Sequence, residues 1–218
     1  MPVPNIPRGV EKFGQGATLT YAVFGDSTTV GQGADYDSGY VRATARYLAD
    51  KGYTVQLQNF GVSGARAADV PARQIPHFKE QQLRPDIALI AVTANDVTHL
   101  TGINSIEKSL VQSIEQLRAV NASVQIIVTG SPQMGTVPRF PQPAQSLARF
   151  RSDQVNAMVK RLTSEQRVIF APIAKETGPI FKAHPEFYAS DLFHPNAQGY
   201  ATWTPVIAKA LDSALSSR

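Results

Sequence analysis

The chain has 218 residues, 43% of them hydrophobic and 17% charged, with 21 Lys and Arg against 17 Asp and Glu for a formal net charge of +4. That size and balance describe one globular domain or a small pair and exclude a wholly disordered chain. The absence of cysteine excludes disulfides, thiolate–metal sites and Cys nucleophiles, and no apolar run approaches the ~18 residues of a membrane span.

Residues 1–17 carry three prolines and three glycines and no periodic pattern, which predicts an extended arm or linker ahead of a domain over residues 18–218. The arm has no apolar core of a signal peptide. It is read either as the natural start or as the remainder left by a removed leader or anchor. The expected location is accordingly a bacterial cytoplasm or the space outside it.

Beyond the arm, apolar runs alternate with amphipathic stretches. Leu19–Gly25 reads as a first strand, residues 38–51 as a helix, and Tyr53–Asn59 as an alternating, β-branched second strand. Residues 66–82 read as a helix that Pro71 and Pro76 bend or split. Asp86–Thr93 is apolar throughout, as in a central strand covered on both faces. Ile103, Ile106, Leu110, Ile114 and Leu117 recur at helical steps. Val124–Gly130 reads as a fourth strand, followed by a loop with prolines at 132, 138, 141 and 143. A long helix over 144–163 and a fifth strand over 167–171 come next. A last helix begins near Asn196, and Pro205 predicts a late start or a kink there.

Five strands alternating with helices predict a three-layer αβα sandwich around a mostly parallel, flavodoxin-like sheet. Ligands bind such sheets beyond the carboxyl ends of the strands. The chemistry is therefore expected in the loops after Gly25, Asn59, Thr93 and Gly130, and near the end of the chain.

Those loops hold Gly25-Asp26-Ser27, Asn59-Phe60-Gly61 and Ala94-Asn95-Asp96, and the C-terminal region adds Asp191-Leu192-Phe193-His194. A serine hydroxyl becomes a nucleophile when a base takes its proton, and histidine suits that task near neutral pH. A carboxylate on the other ring nitrogen fixes the tautomer. The spacing of three between Asp191 and His194 matches one helical turn. The Gly61 N–H and the Asn95 amide are candidate oxyanion donors. Asp26 is read as a cap of the turn that follows it, Asp96 as a turn former, and His77, His99 and His184 as surface or packing residues. No His, Asp and Glu set has metal-ligand spacing.

These blocks, in order and roughly in spacing over residues 19–211, resemble those of the SGNH hydrolases, also called GDSL esterases and lipases. The resemblance implies Ser27 as nucleophile, His194 as base and Asp191 as its partner. It also implies the Ser27 N–H, the Gly61 N–H and the Asn95 side chain as oxyanion donors. Thr93 departs from the glycine usual in the third block. The expected activity is hydrolysis of carboxylic esters with short to medium acyl chains, or of lysophospholipids, through an acyl-enzyme. Acetylated sugars and thioesters are alternatives within the fold.

The expected partner is a small-molecule ester, with no cofactor, no metal and no nucleic acid, and with the oligomeric state open. Met134, Val137 and Phe140 are expected to line the acyl pocket. A rival reading is a non-catalytic flavodoxin-like binding domain, which has no need of Asp191 and His194. One further feature is a run of basic residues. Residues 139–175 carry seven basic side chains against Asp153 and Glu165, which reads either as a solvated helix face or as a surface for anionic substrates or lipid headgroups.

Overall fold

The computed structural model describes residues 9–217. In chain order it begins with β1 (Glu11–Phe13), β2 (Ala17–Gly25), the single-turn helix α1 (Ser27–Val30), α2 (Tyr40–Asp50) and β3 (Tyr53–Asn59). Next come α3 (Ile75–Glu80), β4 (Ile87–Ala91), α4 (Ala94–Thr98), α5 (Ile103–Val120) and β5 (Gln125–Val128). The chain closes with α6 (Ala144–Gln166), β6 (Ile169–Phe170), α7 (Ile173–Ala183) and α8 (Ala197–Ser216). No helix among the described residues is long and apolar enough to cross a membrane.

The strands form one six-stranded sheet in the order β1-β3-β2-β4-β5-β6. All neighbours pair in parallel except β1 with β3. The five parallel strands have the doubly wound order whose switch point lies between its first and third members, here β2 and β4. Alternation along β2 builds both layers. Ala22 and Phe24 join the core under α3, α5 and α6, while Leu19, Tyr21 and Val23 join the core under α2 and α8.

The structure corrects the expected strand count from five to six, because part of the expected arm joins the sheet. Glu11 pairs opposite Leu57 and Phe13 opposite Val55. The Arg42 guanidinium lies 5.4 Å from the Phe13 ring centroid and its Nε is 3.1 Å from a Glu11 carboxylate oxygen. Residues 1–8 of the arm lie outside the described residues. Deleting residues 9–16 removes β1 and is expected to lower the melting temperature. A thermal melt with an unchanged midpoint would show that this strand contributes nothing to the fold.

The helices follow the expectations only in part. Pro71 and Pro76 each stand at an early helical position, where a missing N–H is tolerated, and within residues 66–82 a π-helical turn at Val70–Gln74 runs directly into α3. Pro205 neither delays nor interrupts α8. Asn196 caps that helix by accepting the Gly199 N–H at 3.0 Å, so it starts at Ala197 and runs through the proline. α7 has no counterpart in the sequence reading, because Gly178 and Pro179 sit in its middle.

Candidate active site

β2 runs straight into the turn that presents Ser27. Asp26 is extended, with φ −108° and ψ −156°, and its Oδ1 accepts the Thr28 N–H at 2.9 Å and the Thr28 hydroxyl at 2.8 Å. This N-cap starts α1 at Ser27. The Ser27 N–H is then one of the first-turn donors with no intrahelical acceptor.

His194 comes from the other end of the chain. Its Nε2 lies 2.9 Å from Ser27 Oγ, and its Nδ1 lies 2.6 Å from Asp191 Oδ2. Asp191 and His194 lie in a turn and not on the helix that their spacing suggests. Asp191 Oδ1 accepts the N–H of Phe193 and of His194, each at 3.0 Å, and Leu192 takes φ +56°. One carboxylate therefore folds its own turn with one oxygen and holds the imidazole with the other. Gly33, at φ +104°, lets this turn close on the nucleophile, since a Cβ there would stand 2.3 Å from the Pro195 carbonyl oxygen and 2.8 Å from His194 Cβ.

The electrostatics differ between the two aspartates beside Ser27 and His194. Burial pushes the Asp191 carboxyl up, but the His194 side chain and the N–H groups of His194 and Phe193 outweigh it, and the group ends below its ordinary value. An ionised Asp191 favours an imidazole that carries its proton on Nδ1, which leaves Nε2 as the acceptor for Ser27. Asp26 is the reverse case. Burial drives it from 3.8 up to about 6, against the bonds from Thr28.

A carboxyl whose folded value is raised contributes stability that is present at low pH and lost as pH rises, here between 3.8 and about 6. Replacing Asp26 by Asn keeps the Oδ1 acceptor and removes the titration. The melting temperature of Asp26→Asn relative to the native protein is expected to be more favourable at about pH 7.5 than at about pH 4. A difference that does not change with pH would mean that Asp26 is not desolvated as described.

The three expected oxyanion donors do not stand alike. Asn59 Oδ1 accepts the Gly61 N–H at 3.0 Å while Asn59 Nδ2 donates to the Thr29 carbonyl at 2.7 Å. The Gly61 N–H is thus engaged in a turn closed by Asn59, which corrects its reading as a free donor; such side-chain-to-backbone turns are what asparagine forms readily. Glycine is needed there for space, since a Cβ would stand 1.9 Å from Thr29 Oγ1. Asn95, on α4, donates one amide hydrogen to the Ala65 carbonyl at 2.9 Å and has a second to give. Asp96 is buried and accepts the Ala67 N–H at 2.8 Å, tying α4 to the loop after β3.

Thr93 stands just before α4 at φ +105°, in the left-handed region, and its buried hydroxyl has no hydrogen-bond partner. A β-branched residue is strained there. Thr93→Gly removes both the strain and the unpaired hydroxyl, at a smaller cost in unfolded-chain entropy. The net gain is expected to be about 1–2 kcal/mol, or a melting temperature higher by about 2–8 °C. A lower melting temperature would show that the Thr93 methyl packs well enough to outweigh its backbone.

A cavity opens beside Ser27 and His194. Its volume is about 460 Å³, the open space at its mouth included. Met134 and Val137 line it. Phe140 does not. It packs edge-on against Phe193, with ring centroids 5.8 Å apart, and Phe193 forms the wall in its place. The far wall is Thr177 and Phe181 from α7, Tyr188, and Trp203 from α8. Thr177, Phe181 and Tyr188 are absent from the sequence reading, although Ile173, Thr177 and Phe181 recur at steps of four. His77, His99 and His184 lie on the surface, and His99 Nδ1 contacts the Asn95 carbonyl at 2.8 Å.

A Ser–His–Asp chain beyond a β-strand is a constellation that recurs in serine hydrolases of unrelated folds. This chain belongs to the GDSL-like lipase/acylhydrolase family, whose model matches residues 23–202. It is 30% identical over 202 residues to a GDSL-like esterase of Mycobacterium tuberculosis, covering 90% of this chain and 62% of that protein. It is 28% identical over 113 residues to the esterase TesA of Pseudomonas aeruginosa, covering 52% of this chain and 55% of that protein. The chain thus spans somewhat over half the length of these relatives. A crystal structure of TesA superposes with a TM-score of 0.75 at 18% identity, covering 90% of this chain and 99% of that one, which shows a shared fold.

Proposed function

We propose that this chain hydrolyses carboxylic esters of short acyl chains through an acyl-enzyme on Ser27. The reading rests on His194, which lies 2.9 Å from Ser27 Oγ and 2.6 Å from Asp191 Oδ2. Both distances are within hydrogen-bond reach for a nucleophile and its base.

Ser27 Oγ attacks the ester carbonyl carbon while its proton passes to His194 Nε2. The resulting imidazolium is held by ionised Asp191. The oxyanion is met by the Ser27 N–H and by the second amide hydrogen of Asn95, and Gly61 joins them only by releasing Asn59. His194 returns the proton to the leaving alcohol as the C–O bond breaks. Water then enters by the reverse sequence, giving its proton to Nε2, and the acid leaves with Ser27 restored.

The bulky far wall of Phe181, Tyr188 and Trp203 favours acyl groups of a few carbons over long chains. Burial of each further methylene is worth about 0.8 kcal/mol only where there is room for it. A panel of p-nitrophenyl esters tests this, with acetate to hexanoate expected to be turned over faster than dodecanoate. A fluorophosphonate probe should label Ser27 and fail to label Ser27→Ala. Labelling that persists in that variant would overturn the assignment.

A further inference from the structure

Large apolar side chains left in water are unevenly placed on this molecule. Among the described residues six are exposed, and five of them, Val62, Leu100, Leu147, Phe150 and Leu192, lie at the end of the sheet that carries Ser27. The Val62 N–H donates to the Gly25 carbonyl at the end of β2 at 3.1 Å. Leu192 stands between Asp191 and His194, and its carbonyl accepts the Arg139 N–H at 3.0 Å. Leu147 and Phe150 are on the first turns of α6, which leaves from the same end because it follows β5 into a parallel crossover. Arg151, beside Phe150, donates to the Thr101 carbonyl at 2.6 Å, so this part of α6 abuts the segment holding Leu100. Scattered exposed apolar residues need no explanation, but a collar of them at one end of the sheet does.

The charged side chains that line the groove beside the collar have one sign. A groove runs between the start of α6 and α7, sharing Gln133, Thr136, Gly178 and Phe181 with the catalytic cavity. Arg149, Lys175 and Lys182 line it, and no carboxylate does. Three carboxylates stand next to lining residues without lining the groove themselves. Asp153 accepts from Gln133 at 2.9 Å, Glu186 contacts His184 at 2.8 Å, and Glu176 lies 4.0 Å from the Lys175 ammonium. Arg139 adds a further cation, 5.9 Å from the Phe193 ring at the cavity wall. This groove accounts for part of the basic run in the sequence.

We propose that this end of the molecule docks on an anionic lipid surface, the collar entering the headgroup layer and the groove taking headgroup phosphates. Apolar insertion and cationic attraction are the two contributions that hold a peripheral protein on such a surface. Docking there would turn the mouth of the cavity toward the lipid. The inference does not require that the chain be an esterase, and Ser27→Ala protein serves for its test.

The test is co-sedimentation of full-length Ser27→Ala protein with vesicles of phosphatidylglycerol or of phosphatidylcholine at low salt. Binding to phosphatidylglycerol is expected to be at least about tenfold tighter. Leu147→Ser with Phe150→Ser, both at exposed positions, is expected to weaken it by at least about tenfold, as is Arg149→Gln with Lys182→Gln. In protein with Ser27 intact, both pairs should leave hydrolysis of a dissolved p-nitrophenyl acetate within about twofold of normal, because neither pair touches Ser27 or His194. No binding, equal binding to the two lipids, or full binding by either pair overturns the proposal. So does a native protein that is dimeric where the Leu147/Phe150 pair is monomeric, since the collar would then join two copies of this chain.

Discussion

Ser27→Ala and His194→Ala are each expected to lower kcat by a factor on the order of 10⁶, and the double variant by no more than either alone. The reason is geometric. Ser27 Oγ has His194 Nε2 at 2.9 Å, and a hydroxyl without its base, or a base without its hydroxyl, forms no acyl-enzyme. Asp191 needs a subtler substitution because it does two things. Asp191→Ala loses the oxygen that accepts the N–H groups of Phe193 and His194, so the turn itself loosens. Asp191→Asn keeps an oxygen for the turn but sets an amide N–H₂ against Nδ1. That favours the tautomer with its proton on Nε2, where it cannot receive one from Ser27. The expected loss is about 10⁴ in kcat with the melting temperature nearly retained. Steady-state kinetics and thermal melts on the five variants check this. A His194→Ala enzyme with near-native kcat would require another base, and each of the other three histidines lies on the surface.

How much of this is legible in the sequence depends on how local each cause is. β2, β3 and β4 announce themselves because burial on one or both faces writes period-two or wholly apolar runs into Tyr53–Asn59 and Ile87–Ala91. β1 is three residues between glycines, and what secures it is remote, in β3 and Arg42. α7 hides behind Gly178 and Pro179, residues whose intrinsic preference opposes a helix that packing nonetheless forms. At the site, residue identities are readable and geometry is not. The spacing of Asp191 and His194 is right for a helical turn, but the contact is made by a side-chain-closed turn. Gly61 reads as a donor, yet the neighbouring Asn59 already takes its N–H. Phe140 is apolar and in the right loop, yet Phe193 stands in front of it. Each of these depends on which of two nearby groups reaches a position first, which composition and spacing do not record. Thr93 is the reverse case. Its departure from glycine is visible in the sequence, and the structure supplies the consequence, a strained φ of +105° directly before the helix that carries Asn95.

That strained entry makes Asn95 the most informative remaining position. Its amide gives one hydrogen to the Ala65 carbonyl at 2.9 Å and keeps one for the oxyanion. Asn95→Ala removes both. The second loss is felt only in the transition state, so kcat is expected to fall by about 10²–10³ with little change in KM. The first is felt in the folded state, as about 1 kcal/mol of stability from the unpaired Ala65 carbonyl. Asn95→Asp separates the two further. A carboxylate there would face the Ala65 carbonyl as one acceptor against another and would repel the developing oxyanion. It should therefore be at least as damaging to kcat as alanine and more damaging to the melting temperature. A side chain that merely shaped the turn would give the opposite order, because aspartate suits turns about as well as asparagine does. An Asn95→Asp enzyme close to native kcat would remove Asn95 from the oxyanion hole. The Ser27 N–H would then be left to stabilise the charge with Gly61, once Asn59 let that N–H go.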